Sequence, residues 1–254
     1  MSAASGIFVT GTGTEVGKTV VAAAIAHTLA TEGQKVAVFK PAVTGLDEQP
    51  AGGPICRVTG DISAHRPPDH ELLRLAAGSR QGDGEIAPYR YGPPASPHLA
   101  AAMVGEEIEP ERLLEAAGTA AAEADALVCE GVGGLLVPLV GRFGNPTGDK
   151  SAPPYLVRDL AVDLGYPLVV VASPGLGTIN HTLLTLESAR AGGLDVAAVV
   201  LTPWPQQPTE IERSNLETIA TLGEVVVQTL PLLDLSDPVT WPPLEVPMGR
   251  FPTP

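Results

Sequence analysis

Gly6-Ile7-Phe8-Val9-Thr10-Gly11-Thr12-Gly13-Thr14-Glu15-Val16-Gly17-Lys18-Thr19-Val20-Val21 carries a short β-branched run into a glycine-punctuated loop, closes it with Gly-Lys-Thr and continues into an Ala-rich, helix-forming segment. Strand, glycine loop and helix in that order make a phosphate cradle. Backbone N–H groups of the loop and first helical turn converge on anionic oxygens, Lys18 pairs the β- and γ-phosphates, and the Thr19 hydroxyl ligates Mg²⁺. The commonest spacing, Gly-x-x-x-x-Gly-Lys-Thr, asks for glycine at position 12, where this chain has Thr12 between Gly11 and Gly13. Counted from Gly11, the loop is one residue longer. A nucleoside triphosphate site is the expectation; the bland reading is a glycine-rich turn with a surface lysine.

The same alternation continues on the C-terminal side of this stretch. Lys35 to Phe39, Ala126 to Glu130, Pro167 to Ala172, Val196 to Leu201 and Glu224 to Leu230 read as further strands after Gly6 to Thr10. Lys18 to Ala30, Pro110 to Ala124, Gly177 to Ala191 and Thr209 to Thr221 read as helices. Several strands are apolar throughout, as happens when both faces of a parallel sheet are covered, so the pattern predicts a single α/β domain of the P-loop NTPase type. The domain is expected over residues 1–233, with a Pro-rich C-terminal tail at 234–254. Gly45 to Pro68, Val140 to Pro154 and the tail are rich in turn formers and read as long mobile loops. In such a fold, ligands collect at the carboxyl ends of the strands.

Of 254 residues, 44% are hydrophobic and 17% charged, enough apolar content for one sizeable core. A net charge of −14 with only 15 Lys and Arg argues against a general nucleic-acid or anionic-membrane surface, so any anion site must be local. Cys56 and Cys129 fit a reduced compartment, and Cys129, within the apolar run from Ala126, reads as core packing rather than a nucleophile. No apolar run reaches the roughly 18 residues that span a bilayer, and the early phosphate loop leaves no room for a cleaved signal. A cytoplasmic protein is expected.

Polar residues at strand ends are the next candidates. Lys40 follows Val36-Ala37-Val38-Phe39 and precedes Pro41-Ala42-Val43-Thr44-Gly45, which suits it to a substrate carboxylate or a transferred phosphoryl group; it also suits an ordinary lysine at a strand exit. Glu130 ends a buried strand and is followed by Gly131-Val132-Gly133-Gly134, where a carboxylate is costly without a cation. Mg²⁺ held with Thr19 would supply one, the other readings being a helix cap or a salt bridge. Ser96-Pro97-His98 reads as a helix start with Ser96 as cap and His98 structural. Gly175-Leu176-Gly177-Thr178-Ile179-Asn180-His181 follows another buried strand; its N–H groups suit a carboxylate, and a helix start capped by Thr178 or Asn180 fits equally.

Taken together and in order, the Thr14-Glu15-Val16-Gly17-Lys18-Thr19 loop, Phe39-Lys40-Pro41, Ser96-Pro97-His98, Glu130-Gly131-Val132-Gly133-Gly134-Leu135 and Gly177-Thr178-Ile179-Asn180-His181 resemble the dethiobiotin synthetase family, from about Gly6 to Pro231. The resemblance implies a homodimeric, Mg²⁺-dependent ligase that closes a ureido ring on 7,8-diaminopelargonate with CO₂ (or bicarbonate) and ATP. It places Lys18 and Lys40 on the phosphoryl group and carbamate, and Thr19, Glu130 and an aspartate on Mg²⁺. Gly13, Thr14, Glu15, Val16, Gly17 and Val20 complete the nucleotide loop. Thr44, where the family often has serine, and Gly133 would contact the substrate, whose distant carboxylate would meet Gly177, Thr178, Ile179 and Asn180 across the dimer interface.

Three departures from the family pattern stand out. The further Mg²⁺-binding aspartate should follow the Lys-Pro loop, where an insertion offers Asp61 and Asp69; the helix-forming run after Asp69 favours that residue. Gly175 stands where the family often has lysine. Thr202, followed by Pro203, replaces an asparagine that reads adenine, and a hydroxyl cannot reproduce a two-point amide contact. Two other classes share the loop: a partitioning or cell-division ATPase switch, which usually carries a second lysine where Gly13 stands, and a nucleotide-sensing domain without turnover.

Overall fold

Ile7, Phe8 and Val9 are fully buried in consecutive positions, so the strand that feeds the glycine loop has no solvent face. A computed structural model describes residues 4–48, 67–141 and 153–250. Its elements in chain order are β1 (Ser5–Gly11), α1 (Lys18–Thr31), β2 (Val36–Phe39), β3 (Ala42–Val43), α2 (Asp69–Ala77), α3 (Asp83–Ile86), β4 (Tyr89–Arg90), α4 (Pro97–Met103), α5 (Pro110–Ala122) and β5 (Ala126–Glu130), followed by β6 (Pro138–Val140), β7 (Tyr155–Leu156), α6 (Val157–Leu164), β8 (Leu168–Ala172), α7 (Thr178–Ala191), β9 (Val196–Trp204), α8 (Glu210–Gly223), β10 (Val227–Pro231) and β11 (Gly249–Arg250).

Six strands run parallel in the order β10-β9-β8-β1-β5-β2, and the short β11 pairs antiparallel with the start of β1. The registers Val9↔Glu130 and Phe39↔Cys129 bring the carboxyl ends of β1, β5 and β2 level, which sets Glu130 and the residue after Phe39 beside the glycine loop. Alternate side chains of these strands face opposite layers. Ile7, Val9, Val38, Val128, Val169 and Val171 meet α1, α2 and the C-terminal segment. Phe8, Phe39, Leu127, Cys129 and Leu168 meet α4, α5 and α6, while Val170, Val199 and Leu201 meet α7 and α8. Each such fully buried side chain contributes roughly 1.5–3 kcal/mol relative to exposure. The mostly parallel sheet with helices on both faces is the architecture read from the sequence.

α1 shows no amphipathic stripe because it has almost no wet side: Val21 to Ala26 are all at most 1% exposed. Small side chains let the helix sit close between the sheet, α2 and the C-terminal segment. That segment, read as a Pro-rich tail and mobile loop, is packed instead over the residues described. Trp241 and Leu244 are buried, the Trp241 indole donates to the Asp234 carbonyl at 2.7 Å, and the Leu244 N–H donates to Thr28 Oγ1 at 2.9 Å.

One expected cap is absent and one open alternative closes. Ser96 is the residue before α4 and Pro97 opens the helix, but the Ser96 side chain makes no capping hydrogen bond. α7 likewise starts after Gly177 in the left-handed region (φ 91°) with no side-chain cap, so neither Thr178 nor Asn180 caps it; Thr178 Oγ1 faces Thr182 Oγ1 at 3.5 Å instead. Thr209 does cap α8, by the reciprocal pairing with Glu212 that Thr-x-x-Glu makes possible. Cys56, Asp61 and most of the two insertions lie outside the described residues. Among those described, no helix is long and apolar enough to cross a membrane.

Candidate active site

The loop between β1 and α1 is built on two left-handed residues, Glu15 (φ 61°) and Gly17 (φ 96°). Such turns bring successive N–H groups toward one point, and the helix that follows offers its own unpaired N–H groups, so the loop is preorganised for an anion. Gly11 is the glycine the geometry demands. A Cβ there would stand 2.7 Å from Val16 Cγ2 and 3.0 Å from Lys18 Cγ, whereas a Cβ on Gly13 would meet nothing within 4 Å. This explains the missing glycine at position 12: the close approach falls on Gly11. Lys18 folds over the loop and donates to the Gly13 carbonyl at 2.7 Å.

Behind the loop lies a polar chain drawn from four places in the fold, buried at Thr19, Lys40 and Glu130 and half-buried at Asp69. Thr19 Oγ1 on α1 donates to Glu130 Oε1 at the end of β5, at 2.9 Å. Lys40 Nζ, just past β2, reaches the same oxygen at 2.6 Å and Asp69 Oδ2, the first residue of α2, at 2.9 Å. Lys40 is 3% exposed and Glu130 1%, so the lysine is no ordinary strand exit and the glutamate no helix cap. Burial by itself disfavours the Lys40 ammonium, but the Asp69 and Glu130 carboxylates outweigh it and raise its pKa above the usual lysine value. Burial and the nearby Asp69 push Glu130 upward, against the opposing pull of Lys40. Glu130 Oε2 is buried with no hydrogen-bond partner, an orphaned acceptor aligned with hard oxygen donors. Among the described residues, no three His, Cys, Asp or Glu side chains are arranged to hold a metal ion by themselves, so the candidate cation set here is two carboxylates, Glu130 and Asp69, with the Thr19 hydroxyl.

These residues line a pocket of about 200 Å³ together with Thr14, Glu15, Gly17, Lys18, Ala42, Thr44, Val132 and Gly133. Of the positions singled out from sequence, Gly13, Val16 and Val20 flank this lining without joining it. Ala42 and Val132 are lining residues that carried no polar signal of their own. His98, on α4, is half-buried and not in the lining. Thr202 is buried, and its Cγ2 occupies the space a Cβ on Gly17 would need, at 2.7 Å; Pro203 next to it is exposed. Gly177 to Asn180 open α7 outside this pocket, preceded by a Leu176 that is 97% exposed. Cys129 is wholly buried and burial pushes its thiol pKa far up, which fits packing and not nucleophilic chemistry.

A family described as AAA domain matches residues 5–240. The ATP-dependent dethiobiotin synthetase BioD of Anaeromyxobacter dehalogenans is 41% identical over 196 residues, 77% of this chain and 75% of that protein. The enzyme of the same name from Rhodococcus erythropolis is 37% identical over 89% of this chain and 86% of its own. The chain belongs to the dethiobiotin synthetase family. As a member of the dethiobiotin synthetase family it is an ATP-dependent ligase that forms carbon–nitrogen bonds. A ParA family ATPase from Chlorobium tepidum is a more distant neighbour, with 15% identity, a TM-score of 0.49 and coverage of 91% of this chain and 85% of that one. The dethiobiotin synthetase resemblance of individual motifs thus extends to most of the chain.

Proposed function

We propose that this pocket closes the ureido ring of dethiobiotin from 7,8-diaminopelargonate, CO₂ and ATP. The observation that carries the reading is the Thr19–Glu130–Lys40–Asp69 chain beside the phosphate loop, buried except at Asp69. A P-loop alone serves any nucleotide switch; a lysine buried between two carboxylates beside it is equipment for a second anion.

One amine of the substrate takes up CO₂ as a carbamate. A carbamate oxygen attacks the γ-phosphorus as the bond to ADP breaks, and the second amine then attacks the carbamoyl carbon and expels phosphate, losing its proton as the ring closes. Lys18 and Lys40 bear on the phosphoryl and carbamate oxygens, where negative charge accumulates, and hold them in line; no side chain needs to become covalently attached. Thr44 and the Gly133 backbone border the pocket where the diamine would lie. The donor set fits Mg²⁺: Thr19, Glu130 and Asp69 would hold it, with the orphaned Glu130 Oε2 as an available oxygen. Bound there, Mg²⁺ supplies neutralisation of charge on the β- and γ-phosphate oxygens.

Thr202 and Pro203 would border the base. The first turn of α7, Gly177 to Asn180, would receive the distant carboxylate of a substrate bound mainly to the other copy of a homodimer, a role its uncapped N–H groups and the exposed Leu176 support. Phosphate release from Mg²⁺-ATP and bicarbonate tests the proposal. It should require the diamine; release indifferent to the diamine would return the chain to the switch or sensor readings.

A further inference from the structure

Asn215 sits on the inner face of α8, 6% exposed, remote in sequence from every motif above. Its side-chain Nδ2 donates to the Pro174 carbonyl at 2.9 Å and to the Gly175 carbonyl at 3.2 Å. The Gly175 oxygen also accepts from the N–H of Thr178, the first residue of α7, at 3.3 Å. One carbonyl therefore links the amide of α8 to the start of α7.

Pro174 is buried at the start of this turn, but packing gives Gly175 to Gly177 little support. A Cβ on Gly175 would meet nothing within 4 Å, Leu176 is 97% exposed, and Gly177 is in the left-handed region with only His181 nearby. A solvent-facing segment of this kind samples many conformations unless its backbone is tied down. The tie is a buried amide whose two donors fall on successive carbonyls, and α8 itself is fixed by its Thr209–Glu212 cap and its packing on α7. The turn also contains Gly175, so the backbone there has no side chain of its own to assist it.

We infer that Asn215 is a positioning residue for the reaction: its amide fixes the Pro174–Gly177 turn and thereby the direction of the α7 N–H groups toward the distant substrate carboxylate. This rests on the reading of the α7 start given above. Asn215 is not part of the lining of the phosphate-loop pocket, so its influence is confined to recognition of the carboxylate end. A structural role in α8 alone would act on all substrates and on stability equally.

The test uses Asn215→Ala and Asn215→Thr in the full chain, with 7,8-diaminopelargonate compared with 2,3-diaminononane, the same diamine without its carboxylate. Loss of the two hydrogen bonds from the Asn215 amide should raise KM for diaminopelargonate about tenfold. KM for ATP, kcat and the kinetics with diaminononane should stay within about twofold of wild type, since those terms do not pass through the turn. An unchanged KM for diaminopelargonate, a parallel rise for both diamines, or loss of cooperative thermal unfolding in both variants would overturn the role. Wild-type protein that treats the two diamines alike would instead sink the carboxylate reading of α7, and the role of Asn215 with it.

Discussion

Lys40 Nζ lies 2.6 Å from Glu130 Oε1, and both residues are almost wholly buried although they are 90 positions apart in the chain. An ion pair so enclosed is weak evidence for stability, because desolvation offsets most of the attraction. Its place at the carboxyl ends of adjacent parallel strands, beside a phosphate loop, makes chemistry the better explanation. Removing Lys40 leaves a buried carboxylate without its counter-charge. Lys40→Ala should therefore lose about 10²–10³-fold in dethiobiotin formation while ADP affinity by calorimetry changes little. Unchanged product formation would rule out the role given to Lys40.

Asp69 completes the chain from the far side. Asp69→Asn keeps the shape and halves the carboxylate count, so Mg²⁺-nucleotide affinity should fall by about tenfold or more, by analogy with the cost of losing a charged partner. Asp61→Asn should leave it unchanged. The reverse order in a titration would move the cation ligand into the insertion.

The loop glycines make a paired prediction. Gly11→Ala forces a Cβ against Val16 and Lys18, an overpacking cost of about 1–3 kcal/mol that should appear as roughly tenfold weaker nucleotide binding. Gly13→Ala meets open space and should bind normally. Equal effects in fluorescence titrations with a nucleotide analogue would contradict this assignment of the close approach.

Trp241 anchors the C-terminal segment on α1, with its ring edge-on to His27 at 5.6 Å. Trp241→Ala should destabilise the fold by about 3–5 kcal/mol in urea unfolding. A loss below 1 kcal/mol would show that the segment is dispensable.

His70 gives the sign of a pH effect on stability. Burial is the largest influence and lowers its pKa below the ordinary 6.5, with Asp83 and Glu71 opposing. The folded protein thus prefers neutral His70, and on acidification the unfolded chain takes up the proton first. This contribution is present in full above pH 6.5 and is lost as pH falls toward the folded value. Thermal midpoints should drop on acidification from pH 7 to 5.5, and less steeply in His70→Gln; identical slopes would remove His70 from the account.

Most of the parallel sheet was legible because its strands are apolar on both faces and its helices follow at regular spacing. Lys40 and Glu130 were visible for the same reason, each a charged residue at the end of an apolar run. Their pairing was not, since Val9↔Glu130 and Phe39↔Cys129 are registers between strands distant in sequence. Trp241 and Leu244 were hidden by prolines that read as a loop, because a segment without regular structure can still bury side chains. Asn215 gave no signal, as its partners are backbone carbonyls that carry no side-chain identity. The cap expected of Ser96 is not made, nor is the one that Thr178 or Asn180 offered as an alternative; the Thr209–Glu212 cap of α8 was not read from the sequence at all.

Coupling of ATP cleavage to carbon–nitrogen ring closure is what would separate this pocket from a nucleotide switch. The most direct measurement is mass spectrometry of the products formed from Mg²⁺-ATP, ¹³C-bicarbonate and 7,8-diaminopelargonate, with phosphate measured in the same reaction. The account predicts dethiobiotin one mass unit heavier, in equal amount to phosphate. Phosphate without labelled dethiobiotin would contradict it.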